Sequence, residues 1–174
     1  MELKRVVVTG LGAVTPLGLN VDETWEALLN GVSGAGPITH FDASQFKTQF
    51  ACEVKNFDPT LYLDKKEVRK FDRYAQFAVA AAKEAVGDSA LDLEKVDKNR
   101  VGVIFAAGIG GIRTFEEEVG GYFTNIERGP KFNPFFIPKM IADIAAGHIS
   151  MIYGFHGPNY ATVSACASST HSLI

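Results

Sequence analysis

Asn159-Tyr160-Ala161-Thr162-Val163-Ser164-Ala165-Cys166-Ala167-Ser168-Ser169-Thr170-His171-Ser172-Leu173-Ile174 is the stretch on which the reading of this chain turns. Residues 160–164 are rich in β-branched and aromatic side chains and predict a short β-strand. Residues 165–169 are small side chains around a single cysteine, and 170–174 read as the opening of a helix. A cysteine at a strand-to-helix turn meets the unpaired N–H groups and partial positive charge of a helix N-terminus, which favour thiolate over thiol. The same N–H groups can receive the oxyanion of an attacked carbonyl, and small neighbours let that carbonyl approach. The plainer alternative for Cys166 is a buried, inert thiol, the commoner fate of a free cysteine. Spacing alone leaves both readings open.

Working outward, 174 residues suffice for one domain with a sizeable core. Hydrophobic residues at 47% and charged residues at 21% exclude a disordered chain. A net charge of −3 gives no pull toward nucleic acid, and no apolar run approaches the ~20 residues needed to span a bilayer. Two cysteines make no disulfide framework, so a reduced, cytoplasmic setting is the default. Cys52 falls in a predicted strand over 48–54 and reads as a core thiol.

From the N-terminus, residues 5–9 predict a buried strand that runs into Gly10-Leu11-Gly12. A dinucleotide-binding fingerprint needs a third glycine where Thr15 stands, so the two glycines read as a tight turn instead. Residues 22–30 predict a short amphipathic helix stopped by Gly31. Residues 64–86 predict the longest helix, with Asp64 and Glu67 as a capping pair, an alanine-rich apolar stripe and Gly87 as its end. Lys66, Arg69 and Lys70 share one face of that helix by i, i+3, i+4 spacing, and charge alone makes it a solvated face. Residues 101–107 predict a strand buried on both faces, followed by Gly108-Ile109-Gly110-Gly111, a turn with room for close backbone approach. A helix over 112–122 turns Glu116, Glu117 and Glu118 outward, which does not make a metal site. The loop 124–138 holds three prolines and the aromatics Phe132, Phe135 and Phe136, which need something to bury them. Pro138 then opens a helix that ends at Gly154 and carries His148 on its apolar side as a hydrogen-bonded core histidine.

Gly157-Pro158, a strand, and Ser164-Ala165-Cys166-Ala167-Ser168-Ser169 together resemble the active-site signature of the β-ketoacyl-acyl-carrier-protein synthases, in the manner of the type II condensing enzymes of fatty acid synthesis. Arg5-Val6-Val7-Val8-Thr9-Gly10-Leu11-Gly12, Gly108-Ile109-Gly110-Gly111 and Asn133-Pro134-Phe135-Phe136-Ile137-Pro138 resemble further family stretches in the family's order. The resemblance implies an α/β class with a thiolase-like layered α/β fold, of which residues 1–174 form the first half, incomplete inside the nucleophile helix. It implies that Cys166 accepts the acyl group, and that Ile109 lines or gates the acyl pocket. It also implies that Phe136 reaches toward the pocket of the other subunit of a homodimer. Lys66, Arg69 and Lys70 match a stretch on which the family docks an acidic acyl carrier protein. No cofactor, metal, nucleic acid or membrane is implied.

In the family, two histidines polarise the malonyl thioester and a lysine supports them, in motifs well beyond the cysteine. His40, His148, His156 and His171 do not match those motifs. His171, five residues past Cys166, reads as pointing away from the thiol. The alternatives are a non-catalytic docking or dimerisation fragment, or a dinucleotide-binding domain. The expectation is that these 174 residues alone make no ketoacyl product from acyl- and malonyl-carrier protein. An assay of the purified chain tests this, and measurable product refutes it.

Overall fold

Two short strand pairs, not one continuous sheet, hold the regular pairing in the computed structural model, which describes residues 4–129 and 131–174. The backbone forms two units. One comprises the described residues up to Asp58 together with Ala80–Leu91; the other comprises Pro59–Val79 and Asp92–Ile174.

In the first unit, helix α1 (Val21–Leu29) starts where the Asn20 side chain accepts the Glu23 N–H at 2.8 Å and Glu23 reaches back to the Leu19 N–H. It ends at Gly31 as the sequence predicts, with Gly31 N–H to Leu28 and Val32 N–H to Ala27 forming a Schellman closure. Strands β1 (Gly36–Pro37) and β2 (Phe50–Ala51) pair antiparallel. The predicted strand 48–54 is thus only two residues of ladder, because the partner strand contains a proline that cannot donate. Cys52 is exposed, which corrects its reading as a core thiol.

The predicted buried strand 5–9 is also corrected. Among the described residues it has no ladder partner, and Val6 and Val8 are 89% and 77% exposed. The chain that follows is held by carboxylates. Leu11 N–H donates to Asp88, Ala13 N–H to Glu84 Oε2, and Glu84 Oε1 accepts the Val21 N–H at 2.7 Å. Gly10 and Gly12 are not at positive φ and make no tight turn. A Cβ on Gly12 would lie 1.9 Å from the Ala81 carbonyl oxygen, so glycine there serves close approach to a helix backbone.

In the second unit, the predicted helix 64–86 is broken in two. Helix α2 (Lys65–Val68) has a single turn, and Asp64 makes no side-chain cap. Helix α3 (Arg73–Asp88) begins after Asp72 and continues past Gly87; its residues from Ala80 onward belong to the first unit. The break has a cause in Asp72, which is 7% exposed. Its Oδ1 accepts the Tyr74 N–H at 3.2 Å, and its Oδ2 accepts the Thr114 N–H at 3.2 Å and the Thr114 hydroxyl at 2.5 Å. One carboxylate thereby caps α3 and the first turn of helix α4 (Ile112–Thr124), where two partial positive charges meet it. The alanine stripe is buried as predicted, with Ala75 at 0% and Ala78 at 1% exposure.

The predicted helix from Pro138 is likewise two helices, α5 (Phe136–Met140) and α6 (Ile144–Tyr153). Pro138 stands third in α5, where its missing N–H still costs nothing. Tyr74 Oη donates to the Ile141 carbonyl at 2.5 Å, which satisfies the backbone in the gap. The loop 124–138 is shortened by the extension of α4 to Thr124 and by a turn of 3₁₀ helix at Ile126–Arg128, while Pro130 lies outside the described residues. Strands β3 (Val103–Ile104) and β4 (Asn159–Tyr160) pair in parallel, and α6 packs on both through Ala145, Ala146 and Ile149. Two alanines at 0% exposure let the helix come close enough for Asn159 Nδ2 to reach the Ala146 carbonyl at 3.0 Å.

Asp72→Ala removes a cap and leaves the Thr114 donors buried without a partner. It is expected to lower stability by about 2–4 kcal/mol, with Asp72→Asn milder, as read by urea denaturation. Wild-type stability in Asp72→Ala would show that the carboxylate does not hold the two helices.

Candidate functional site

The parallel pair continues beyond its two-residue core. Val103 N–H donates to Pro158 at 2.8 Å, Phe105 to Tyr160 at 3.3 Å and Ala107 to Thr162 at 3.3 Å. Parallel register sends both chains out at the same end of the pair, the end where open α/β sheets hold their ligands. Gly108-Ile109-Gly110-Gly111 leaves one strand there, and Ser164-Ala165-Cys166 leaves the other.

The cysteine turn is tight. Ala165 has φ +49°, a left-handed conformation that costs an L-residue about 1–2 kcal/mol. Residues Ala165–Ala167 form one turn of 3₁₀ helix and run into helix α7 (Ser168–Leu173). Cys166 is exposed, so it is not the buried thiol of the plainer alternative. It sits on the 3₁₀ turn and not in the α-helix, and a six-residue helix carries only a small dipole. Ser168 is 4% exposed. Its Oγ accepts the Ser164 N–H at 2.8 Å and donates to the Ala165 carbonyl at 2.7 Å.

Ile109 lines an apolar cavity of about 280 Å³ with Ile112, Phe115, Met140, Ile141 and Ala142. The glycines beside it allow the close approach that the sequence predicts. Gly110 has φ +91°, and a Cβ there would stand 2.4 Å from the Met140 carbonyl oxygen. Gly111 N–H donates to that same oxygen at 2.9 Å. Phe136 does not line the cavity but adjoins it. Its ring centroid is 6.3 Å from that of Phe115, which does line it, and it stacks on Phe132. A larger cavity of about 370 Å³ has polar walls from Glu117, Glu118 and Lys131 and includes none of the predicted site residues.

The basic residues do not share one helix face, because α2 stops at Val68. Lys66 and Arg69 are exposed, whereas Lys70 is half-buried, 2.6 Å from Glu67 Oε1 and over the Phe135 ring. The histidines are dispersed. His40 lies 3.9 Å from Glu53, and the His171 ring meets the Ser164 hydroxyl at 2.6 Å. His148 stacks on Phe71 with centroids 3.6 Å apart, a ring contact where a hydrogen bond was expected. Among the described residues, no group of three or more His, Cys, Asp or Glu side chains is placed to hold a metal ion, and no helix is long and apolar enough to cross a membrane. Sequence reasoning missed Asp72 and Ser168. The signal for Asp72 was its place just before an alanine-rich helical run; Ser168 is one of several small residues and had none.

The family model for the β-ketoacyl synthase N-terminal domain matches residues 3–174. The chain is 47% identical over 173 residues to 3-oxoacyl-[acyl-carrier-protein] synthase 2 of Coxiella burnetii, covering 99% of this chain and 41% of that protein. It is 42% identical to the synthase 2 of Synechocystis, over 99% of this chain and 41% of that one. The chain therefore spans 41% of the length of these curated relatives. Among solved structures, it is similar to a type II polyketide ketosynthase in complex with its acyl-carrier protein and bound to a hexaketide. That match has a TM-score of 0.78 and 25% identity, over 98% of this chain and 45% of that one. It is also similar to the ishigamide ketosynthase/chain length factor, at TM-score 0.80 and 26% identity, over 91% of this chain and 39% of that one.

His148 yields a pH prediction. Burial lowers its pKa from 6.5; Glu67 nearby pulls it up and Lys70 pushes it down. The folded state therefore prefers the neutral ring, and the unfolded chain binds the proton first as pH falls. Stability from this group is complete above about pH 6.5 and is lost as pH drops below it toward the lowered value. Melting temperature is expected to fall between pH 7.5 and pH 5.5, and His148→Leu is expected to flatten that slope. An unchanged slope in His148→Leu would contradict this assignment.

Proposed function

Because the chain belongs to the β-ketoacyl synthase family and has the thiolase-like fold, we propose that the whole protein is a condensing enzyme of fatty acid elongation with Cys166 as its acyl acceptor. The observation that carries this reading is the exposed Cys166 leaving the same strand end as Ile109, whose side chain lines an apolar cavity. The Cys166 sulfur, as thiolate, attacks the thioester carbonyl of an acyl carrier protein. The carbonyl oxygen takes up negative charge, and the carrier thiolate leaves as the C–S bond to it breaks. The acyl chain lies along Ile109 in a cavity of oily walls, where its methylenes leave water.

Malonyl carrier protein then enters and loses carbon dioxide. The electron pair left on its α-carbon attacks the acyl-cysteine carbonyl, forms the new C–C bond and expels the Cys166 thiolate. The product is a β-ketoacyl carrier protein. Polarising the malonyl thioester falls, by resemblance to the family, to two histidines in motifs that His40, His148, His156 and His171 do not match.

Identity favours fatty acid substrates over polyketides, at 42–47% to the synthase 2 enzymes against 25–26% to the polyketide structures. The carrier protein docks on the exposed cations Lys66 and Arg69, with Lys70 behind them, in a contact that weakens with salt. Phe136, stacked at the edge of the cavity wall, faces the second subunit of a homodimer.

Incubating the full-length protein with acyl carrier protein and digesting it is expected to yield an acylated peptide containing Cys166, absent in Cys166→Ala. Acylation elsewhere, or activity that survives in Cys166→Ala, overturns the reading. Ile109→Phe is expected to slow long acyl chains more than short ones.

A further inference from the structure

We propose that Ser168 is a positioning residue for Cys166, acting through the peptide group between Ala165 and Cys166. This rests on the reading of Cys166 as acyl acceptor. The Ser168 hydroxyl is buried and both donates and accepts. It donates to the Ala165 carbonyl at 2.7 Å and accepts the Ser164 N–H at 2.8 Å. It thus staples the two peptide groups on either side of the Ser164-Ala165 pair. Between them lies Ala165, at φ +49°, a conformation that alanine leaves unless something holds it.

The staple reaches the cysteine through peptide planarity. The Ala165 carbonyl and the Cys166 N–H belong to one rigid plane and point opposite ways. Drawing the carbonyl inward to Ser168 turns the Cys166 N–H outward. The two backbone bonds that close the turn, Ala167 N–H to the Ser164 carbonyl at 3.1 Å and Ser168 N–H to the Ala165 carbonyl, do not use the Cys166 N–H, which is left to meet a substrate oxyanion. The anchor is itself fixed. The Ser168 carbonyl accepts the Thr162 hydroxyl at 2.9 Å, and Thr162 is a ladder residue of the parallel pair, bonded to the Ala107 N–H. The path from ladder to thiol therefore runs Thr162, Ser168, Ala165, Cys166, and each link is a hydrogen bond or a peptide plane.

In the full-length protein, Ser168→Ala is expected to slow acylation of Cys166 on the order of ten- to a hundredfold, with KM for the acyl carrier protein unchanged. An unchanged melting temperature reports that the fold is intact, and iodoacetamide labelling of Cys52, exposed and remote in sequence, serves as the reference for thiol access. Ser168→Thr keeps the hydroxyl and is expected to retain the rate. Ala165→Gly added to Ser168→Ala is expected to recover part of it, because glycine adopts positive φ without strain. An unchanged acylation rate in Ser168→Ala overturns the proposal. So does a loss that Ala165→Gly does not recover, or one found only because the variant is unfolded at the assay temperature, since a merely structural serine behaves that way. If wild-type Cys166 takes no acyl group at all, the functional reading fails instead. The staple is then judged by the ratio of Cys166 to Cys52 alkylation in the same variants.

Discussion

Three parallel hydrogen bonds, from Val103 to Pro158, Phe105 to Tyr160 and Ala107 to Thr162, fix the geometry on which the candidate site depends. A parallel ladder has direction as well as register. It obliges the two loops that follow, with Ile109 in one and Cys166 in the other, to emerge together. An antiparallel pair would have sent them to opposite ends. The long connection between the strands is a consequence of the same constraint, because parallel neighbours cannot be joined by a tight turn. The chain fills it with α4, α5 and α6, and α6 returns to cover the ladder with its alanines.

Asp72 and Ser168 show how this layout is made rigid. Each is a buried polar side chain hydrogen-bonded to the backbone of two other residues, and each sits where the backbone leaves regular structure. Asp72 binds the first turn of α4 to that of α3, which holds the start of the helix carrying the cavity residues Ile112 and Phe115. Ser168 does the corresponding work at the cysteine turn. The left-handed Ala165 costs about 1–2 kcal/mol, and two hydrogen bonds at about 1 kcal/mol each are of the right size to offset it. Strain of this size is worth keeping only where a side chain must be aimed, which is the usual setting of such residues.

Much of this was legible in the sequence. The turn of small residues, the loop around Ile109 and the buried alanine face of α3 follow from local pattern, whereas the strands predicted over 101–107 and 160–164 are two residues each, Val103–Ile104 and Asn159–Tyr160, and Ile104 is exposed where burial on both faces is predicted. What escaped has physical reasons. Helix periodicity continues across Asp72, so the sequence reads one helix where a carboxylate capping two N-termini makes a break. The same happens at Ile141, where the backbone gap is satisfied from Tyr74, 67 residues away. Pattern marks Val6, Val8, Trp25 and Leu29 as core, yet they are exposed. Hydrophobicity specifies that a side chain is to be covered, and says nothing of which segment covers it. The grouping of Lys66, Arg69 and Lys70 on one face failed for the simple reason that it assumed a helix that ends at Val68. The exposed turn that carries Cys166, by contrast, is set by its immediate neighbours, the small residues on either side of it.

The central claim is that the acyl group carried by Cys166 runs toward Ile109 from a common strand end. A crystal structure of the full-length protein, trapped with an acyl chain on its cysteine, tests it most directly. The expected result is a thioester at Cys166, its carbonyl oxygen near the Cys166 N–H, and the chain's methylenes against Ile109. A chain attached at another residue, or leaving Cys166 away from the cavity that Ile109 lines, would contradict it.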